Sequence, residues 1–223
     1  MGAMSGVQEA SAPTGRNPET DISTRERREI LARIDELVAG ARKPVGKEDL
    51  AFRAARSGAL FPLLVNLGAA ALAVELGAVS IEHAVKTSPA ELVALGASDT
   101  VVVSLPCTPF GLADPHYTPV RGLLAAGGTL AIATDLNPGT AWCESMQFVI
   151  ALACRYLKLT PAEALAAATI NAARAIGRDG LIGSIEEGKQ ADLVLLTVPD
   201  YRHLAYRFGG NLVDTVIKKG HVS

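Results

Sequence analysis

The segment LAIATDLNPGTAW, residues 130–142, contains the residue types and spacing best suited to chemistry. Its apolar beginning ends at Asp135, and a turn rich in hydrogen-bonding groups follows. A carboxylate in this position either caps the next helix and satisfies loop amides, or it ligates a metal and activates water. Both interpretations stay open, because polar residues at the ends of barrel strands are often catalytic.

Three residues of the turn behind Asp135 could contact a polar ligand. Asn137 supplies a side-chain amide, Gly139 an approachable backbone and Thr140 a hydroxyl. Turns also use these residue types for their own hydrogen bonds. Where no metal is held, we expect the Asp135 carboxylate to accept hydrogen bonds from the backbone amides of this turn.

Four histidines could act with this carboxylate. His83 ends the apolar segment AVSIE, and although a lone histidine there is more often structural, its matching place on a neighbouring strand favours function. His116 lies in a loop, where the sequence identifies no partner for it. His203 lies in the basic and aromatic segment DYRHLAYRFGG, which we interpret as a packed connector. We expect His221, near the end of the chain, to be solvated.

The three cysteines form no CxxC pair, and we interpret them as reduced thiols of a cytoplasmic protein. Cys107 and Cys143 lie near loops at the predicted active face, but neither has a histidine nearby in sequence. A thiol nucleophile is therefore not expected. The sequence also contains no P-loop, GxGxxG, HExxH or GxSxG motif, and no HxH pair.

Composition narrows the classes of partner. The chain has 223 residues, of which 49% are hydrophobic and 20% charged, and its net charge is −2. This balance is typical of a globular protein with a large core and gives no electrostatic reason to bind nucleic acid or an anionic membrane. The most apolar window, residues 67–81, includes Glu75 and is too short to span a bilayer. We therefore expect no nucleic acid partner and no membrane.

Strand and helix patterns alternate from about Gly68 onward, which predicts an α/β fold with a parallel sheet. The segments AVSIE, DTVVVSLP and TLAIAT are predicted strands. The last two are apolar on both faces, which indicates a sheet covered on both sides or closed into a barrel. Ligands collect at the carboxyl ends of such strands, where His83 and Asp135 both lie.

Capping patterns place the helices. Ser88 and Glu91 predict a capping box for SPAELVALGA, and Thr160 and Glu163 repeat it for a helix that ends near Gly177. Other helices are predicted over LGAAALAVELGA, VRGLLAAGG and residues 144–157, and CTPFGLADPHYTP is predicted as a loop. The segments GSIEEGKQADLVLLTV and NLVDTVIKKGHVS then predict a small antiparallel β module.

The leader differs from the rest of the chain. Residues 1–24 are rich in small and polar residues and are predicted to be disordered, and a helix capped by Ser23 should then run to about Gly40. We expect three regions: a leader over residues 1–60, an α/β unit over residues 61–182 and a β segment over residues 183–223.

The motifs LGAVSIEH, ATDLNPGT, GSIEEGKQADLVLL and DYRHLAYRFGGNLVDTVIKKG resemble imidazolonepropionases from about Val65 to the end. These are amidohydrolase-superfamily enzymes of histidine degradation. The resemblance implies the C-terminal part of a (β/α)8 TIM barrel followed by a segment of a small β-sandwich. It also implies metal-dependent hydrolysis of 4-imidazolone-5-propanoate to N-formimidoyl-L-glutamate.

The resemblance assigns a role to each candidate residue. Asp135 is implied to be a ligand of zinc or iron(III) and to help activate water, and His83 to lie near that water. Asn137, Gly139 and Thr140 are implied to contact the substrate.

Part of the family pattern is missing. The family carries an HxH pair and a later HADxF-like segment, whereas this chain reads GALFPLLVNLG, with Leu60 and Leu63 in place of a ligand histidine and a catalytic glutamate. We therefore expect a truncated enzyme with little or no activity by itself. The alternatives are a non-catalytic half-barrel that pairs with a separate N-terminal half, a homo-oligomer, or the product of a gene-model error.

Overall fold

A computed structural model of the chain describes residues 69–222, together with Arg28 and Ala32. Both of these leader residues are helical. The rest of the predicted leader helix, and the positions of Leu60 and Leu63, lie outside the described residues.

Helices and short strands alternate through the first part of the described chain. In chain order the elements are α1 Ala69–Glu75, β1 Ser80–Glu82, α2 Pro89–Gly96, β2 Val101–Ser104, α3 Cys107–Gly111, α4 Val120–Ala125, β3 Leu130–Ile132, α5 Met146–Tyr156, α6 Pro161–Ala168, α7 Ile170–Ala175, β4 Leu193–Leu196, α8 His203–Tyr206, β5 Val213–Lys218 and β6 His221–Val222.

The first three strands form a parallel sheet in the order β1-β2-β3, as the alternating pattern predicted. Every residue of β2 and β3 is buried. Val102 belongs to the larger apolar cluster, whereas Val101 and Val103 belong to a second one. Since successive side chains of a strand point to opposite faces, the sheet is covered on both sides. The carboxyl ends of all three strands therefore open toward one edge, where the loops can place polar groups.

The last three strands form an antiparallel sheet in the order β4-β5-β6, which confirms the predicted β module. Lys219 and Gly220 connect β5 to β6, and both have positive φ angles, 53° and 81°. A two-residue hairpin with positive φ at both positions matches the right-handed twist of its strands. The boundary predicted between residues 182 and 183 stays a prediction.

Both predicted capping boxes are present. The hydroxyl of Ser88 accepts the N–H of Glu91 at the start of α2, and the Glu91 carboxylate accepts the N–H of Ser88. Thr160 and Glu163 make the same reciprocal pair at the start of α6. Each box satisfies two backbone donors that the first helical turn leaves unpaired.

The helix predicted from Thr160 to about Gly177 is wrong as one element, because it breaks at Thr169. That residue has φ −123° and ψ −92°, outside the helical region, and separates α6 from α7. Its hydroxyl donates to the carbonyl of Leu165 at 2.7 Å, a local bond that competes with regular helix geometry. The break lets Asn171 donate to the carbonyl of Leu130 in β3 at 2.8 Å.

The predicted loop CTPFGLADPHYTP contains a helix, α3, and the predicted connector around His203 contains another, α8. The prolines near α3 caused the first error. Pro106 is its N-cap and Pro109 lies in its first turn, where a backbone N–H has no helical partner in any case. No helix within residues 69–222 is long and apolar enough to cross a membrane.

Candidate functional site

The structure brings together the two residues that the sequence placed at strand ends. His83 directly follows β1, Asp135 lies three residues beyond β3, and His83 Nε2 is 3.7 Å from Asp135 Oδ2. Their side chains are 23% and 29% exposed. A small molecule can therefore reach both groups, while the surrounding protein removes most of their water.

Both residues adopt a left-handed backbone conformation, which residues other than glycine rarely adopt. The φ angle is 61° at His83 and 52° at Asp135, and Ala84 follows with 48°. Left-handed conformations at residues with a Cβ cost on the order of 1–3 kcal/mol and persist only where the surroundings hold them. Such strain is concentrated at functional sites, which supports assigning one to this edge of the sheet.

A threonine that the sequence reasoning missed orients the Asp135 carboxylate. The hydroxyl of Thr108, in α3, donates to Asp135 Oδ2 at 2.6 Å. Hydrogen bonds from a hydroxyl to a carboxylate are shorter and stronger than neutral ones. Little in the sequence could indicate this contact, because it joins residues that are far apart in the chain, and Thr108 lies in a segment predicted to be a loop.

The turn after Asp135 is built by the side chain of Asn137. Its Oδ1 accepts the backbone amides of Gly139 at 2.9 Å and Thr140 at 2.8 Å, and its Nδ2 donates to the carbonyl of Asp135 at 2.7 Å. The expectation that the Asp135 carboxylate accepts these amides is therefore wrong: Asn137 accepts them instead. An asparagine can form this turn from its own side chain, which leaves the carboxylate free to face His83.

The three turn residues thus have a local structural role. Asn137, Gly139 and Thr140 adjoin the carboxylate, but their polar groups bond to one another. Their contact with a substrate stays a prediction.

Two buried hydroxyls hold the backbone of His83. Thr118 Oγ1 donates to the His83 carbonyl at 2.6 Å, and Ser104 Oγ lies 2.8 Å from Thr118 Oγ1. Because a hydroxyl has one proton, Ser104 must donate to Thr118 when Thr118 donates to His83. The backbone N–H of His83 donates to Val103 at 2.9 Å. Ser104, a polar residue that ends an otherwise apolar strand, was the available sequence signal.

The other histidines lie outside this arrangement. His116 has a partner that the sequence did not identify, since its Nδ1 is 2.7 Å from Asp114 Oδ1. The backbone N–H of His116 also donates to that carboxylate, and these bonds hold the pKa of Asp114 below its ordinary value. The pair is exposed and stabilises a turn. His203 begins α8, and His221 is exposed in β6, as expected.

Residues 69–222 do not by themselves complete a metal centre. Within them, no group of three or more histidine, cysteine, aspartate or glutamate side chains could hold an ion. Asp135 offers one carboxylate and His83 one imidazole, whereas zinc sites in proteins use three or four protein ligands. The site as described can orient a carboxylate and an imidazole toward a common small molecule.

These features agree with the family to which the chain belongs. Residues 63–223 match the amidohydrolase family, so the chain is a member of it.

The curated relatives that it matches are more specific. The imidazolonepropionase of Herpetosiphon aurantiacus is 57% identical over 156 residues, which cover 70% of this chain and 36% of that protein. The imidazolonepropionase of Chloroflexus aggregans is 48% identical over 158 residues, 71% of this chain and 37% of that protein. The chain thus spans little more than a third of the length of these relatives.

Solved structures show the same fold. An adenosine deaminase from Xanthomonas campestris with bound zinc is 30% identical, with a TM-score of 0.57, over 64% of this chain and 36% of that one. The guanine deaminase of E. coli superposes with a TM-score of 0.55 at 19% identity, over 65% of this chain and 38% of that one. The α/β fold with a partial barrel that the sequence predicted is confirmed.

Proposed function

We propose that the chain supplies the C-terminal part of an imidazolonepropionase active site, which hydrolyses the ring amide of 4-imidazolone-5-propanoate to N-formimidoyl-L-glutamate in histidine degradation. The observation that carries this proposal is the pair of strained strand-end residues, His83 and Asp135, whose reactive atoms lie 3.7 Å apart. The identity of 57% to an imidazolonepropionase supports the choice of substrate within the amidohydrolase family.

The residues present match the demands of amide hydrolysis. A water molecule must be positioned and lose a proton while negative charge develops on the amide oxygen. The Asp135 carboxylate, held by Thr108, can accept a hydrogen bond or a proton from that water. The His83 imidazole can exchange a proton with the same water or donate to the amide oxygen. Gly139 and Thr140 lie behind the carboxylate, where the substrate's propionate would bind.

A metal bound here would polarise the amide carbonyl and lower the pKa of its bound water. We propose zinc or iron(III), with Asp135 as a ligand, and the zinc in a solved relative supports this class of cofactor. Because the described residues supply too few ligands, we assign no chemical step to the metal in this chain. We also propose a cytoplasmic location, since Cys107, Cys143 and Cys154 form no disulfide.

The test is to complement the chain with the part of a relative that it does not match. We would co-express it with the N-terminal part of the Herpetosiphon imidazolonepropionase that precedes the matched region, and follow the loss of imidazolone absorbance. The chain alone should show no turnover, and the pair should show metal-dependent turnover. Asp135→Asn should abolish this turnover, whereas Asp214→Asn, at an exposed carboxylate in β5, should leave it unchanged.

Turnover by the Asp135→Asn pair equal to that of the unchanged pair would contradict the proposed role of this carboxylate. Turnover by the chain alone would show that it completes the site without a partner. No turnover from a folded pair that co-elutes would count against the proposed reaction.

A second candidate function is a binding module without catalysis of its own. Among the described strands, β1 and β3 each pair on one side only, so the parallel sheet has two open edges. Unpaired strand edges are ready to accept another strand. Size-exclusion chromatography of the same co-expressed pair tests this: co-elution without turnover supports the module, and an unchanged monomer contradicts it.

A further inference from the structure

The two reactive groups of the candidate site come from strands that are not neighbours. His83 follows β1, Asp135 follows β3, and β2 lies between them in the sheet. Neighbouring strands lie about 4.8 Å apart, so the ends of β1 and β3 are roughly 10 Å from each other. His83 Nε2 and Asp135 Oδ2 are nevertheless 3.7 Å apart. The two side chains therefore approach each other across the end of β2, where the chain continues from that strand.

The segment between β2 and α4, residues 105–119, contacts both groups. Near its start the Thr108 hydroxyl donates to Asp135 Oδ2 at 2.6 Å, and near its end the Thr118 hydroxyl donates to the His83 carbonyl at 2.6 Å. The hydroxyl oxygen of Ser104, the last residue of β2, is 2.8 Å from that of Thr118, and both residues are buried. This bond closes the segment into a loop, the 105–119 loop, which places one threonine on each of the two groups.

Three aromatic contacts hold the 105–119 loop against α5. The Phe110 ring meets the rings of Phe148 at 5.4 Å and Tyr156 at 6.3 Å, and the Tyr117 ring stacks on Tyr156 at 4.8 Å. Aromatic pairs in these arrangements stabilise a fold beyond the area that they bury. Phe110 lies two residues beyond the first threonine, and Tyr117 directly precedes the second. The loop is therefore packed on α5 beside both hydroxyls.

The first threonine also determines which oxygen of Asp135 is available. Oδ2 accepts the Thr108 hydroxyl and is the oxygen that lies 3.7 Å from His83 Nε2. Within residues 69–222, that hydroxyl is the one hydrogen-bond donor to the carboxylate, so Oδ1 accepts no hydrogen bond from them. A carboxylate that is held by one oxygen presents the other in a fixed direction, which lowers the cost of orienting a reacting water.

We propose that Thr108 and Thr118 are positioning residues for the hydrolysis proposed above, and that the 105–119 loop acts as one device that sets the distance between the His83 imidazole and the Asp135 carboxylate. Thr108 acts through the carboxylate, and Thr118 acts through the backbone of His83. The inference rests on the proposed function, because the distance matters to a rate only where both groups act on one substrate. Loss of either hydroxyl lowers kcat and leaves KM nearly unchanged, since it disturbs the reacting groups and removes no contact with the substrate.

The test uses the full chain co-expressed with the N-terminal part of the Herpetosiphon imidazolonepropionase. Thr108→Val and Thr118→Val keep the shape of the side chain and remove the hydroxyl. Each should lower kcat by about 10-fold to 100-fold, because a displacement of about 1 Å at reacting groups can cost about 100-fold. Thr108→Ser and Thr118→Ser should restore most of the rate. Thr215→Val, in β5, is the matched control and should leave kcat unchanged, because its hydroxyl bonds to the exposed Asp214 carboxylate.

The combined Thr108→Val and Thr118→Val chain tests whether the loop acts as one device. Since both hydroxyls set the same distance, the combined loss in kcat should be smaller than the product of the two single losses. A combined loss equal to that product would show that the two threonines act independently, and would overturn the proposal of a single device.

A second measurement needs no turnover. Proton–nitrogen correlation spectra of the imidazoles in the full chain alone report the surroundings of His83, whose signal is assigned by its loss in His83→Gln. Thr108 reaches this ring only through Asp135, so Thr108→Val should shift the His83 signal in the same direction as Asp135→Asn does. Thr108→Ser and Thr215→Val should leave the signal in place.

The two measurements separate this inference from the function on which it rests. If the unchanged pair hydrolyses the substrate and both valine variants keep its kcat, the positioning role is overturned. If the unchanged pair shows no turnover while Thr108→Val shifts the His83 signal, the proposed reaction fails and the loop still sets the distance between the two groups. A His83 signal that Thr108→Val leaves unmoved would overturn the inference. Should Thr118→Val yield no folded chain, Thr108→Val, at a part-buried hydroxyl, decides both measurements.

Discussion

The strands of the two sheets differ in how fully they are buried. Every residue of β2 and β3 in the parallel sheet is buried, whereas the residues of β4 and β5 in the antiparallel sheet are half-buried or exposed, and β6 is exposed throughout. Part of the difference lies in the sequence, because β5 and β6 contain Asp214, Thr215, Lys218 and His221, whereas Ser104 is the one polar residue of β2 and β3. Helices cover both faces of the parallel sheet, while among residues 69–222 nothing covers the outer face of the antiparallel one.

The buried parallel sheet is the part of the described chain that can hold the candidate site. Strained backbone conformations persist only where a firmly packed frame holds them. The left-handed residues His83 and Asp135 both follow strands of the parallel sheet. In the antiparallel sheet the left-handed residues, Lys219 and Gly220, lie in a hairpin turn that favours this conformation.

The largest expected effect tests the difference between buried and exposed side chains. Leu95 in α2 is 0% exposed, and Leu195 in β4 is 50% exposed. Leu95→Ala should lower the free energy of unfolding by about 2–5 kcal/mol, because it removes buried methyl groups and leaves a cavity. Leu195→Ala should change it by about 0.5 kcal/mol or less. Urea unfolding followed by circular dichroism measures both.

Equal losses of stability for the two leucine variants would contradict the difference in burial. They would show that the antiparallel sheet is covered in solution, either by residues outside those described or by a second copy of the chain. Repeating the measurement over a range of protein concentrations separates these two causes, because only association makes the midpoint depend on concentration.

A smaller effect tests the hydroxyl pair behind His83. Thr118→Val keeps the shape of the side chain but leaves the buried Ser104 hydroxyl and the His83 carbonyl without their partner. Groups left unsatisfied in this way cost about 1–3 kcal/mol. Thr215→Val, in β5, is the matched control, because the Thr215 hydroxyl bonds to an exposed Asp214 carboxylate.

Thr118→Ser should restore most of the loss, since it keeps the hydroxyl. A Thr118→Val chain as stable as the unchanged protein would mean that water replaces this hydrogen bond, and that the Thr118 hydroxyl does not hold the His83 backbone in place.

The sequence predicted those parts of the site that follow from local rules. The carboxyl ends of parallel strands meet at one edge, so His83 and Asp135 could be placed together from the strand pattern alone. The capping boxes at Ser88 and Thr160 could also be predicted from the sequence, because all their hydrogen bonds lie within four residues.

The remaining contacts depend on long-range packing. Thr108 and Thr118 are near the site only because the segment after β2 packs against Asp135, beyond β3, and against His83, beyond β1. Local propensity contains no information on such contacts. The break at Thr169 was missed for a related reason, since the packing of α7 on β3 overrides an otherwise continuous helical pattern.

The smallest expected effect lies at the end of the antiparallel sheet. Asp192 accepts hydrogen bonds from Lys218 Nζ at 2.6 Å and from the backbone N–H of Lys219 at 2.8 Å. The Lys218 side chain, followed by the Lys219 amide, lowers the pKa of Asp192 from 3.8 to about 2. Because this folded-state pKa lies below the ordinary value, the contribution to stability is complete above the ordinary value and is lost as the pH falls toward about 2.

The measurement is the urea midpoint of the unchanged chain and of Asp192→Asn from neutral pH down to about pH 2. The two midpoints should differ at neutral pH and converge in acid, and 1 M salt should reduce the difference, because exposed charges are screened. Asp214→Asn, whose carboxylate bonds to the Thr215 hydroxyl, is the control and should not reproduce this convergence. A difference that persists unchanged to the acid limit would mean that the Asp192 carboxylate does not stabilise this end of the sheet through its charge.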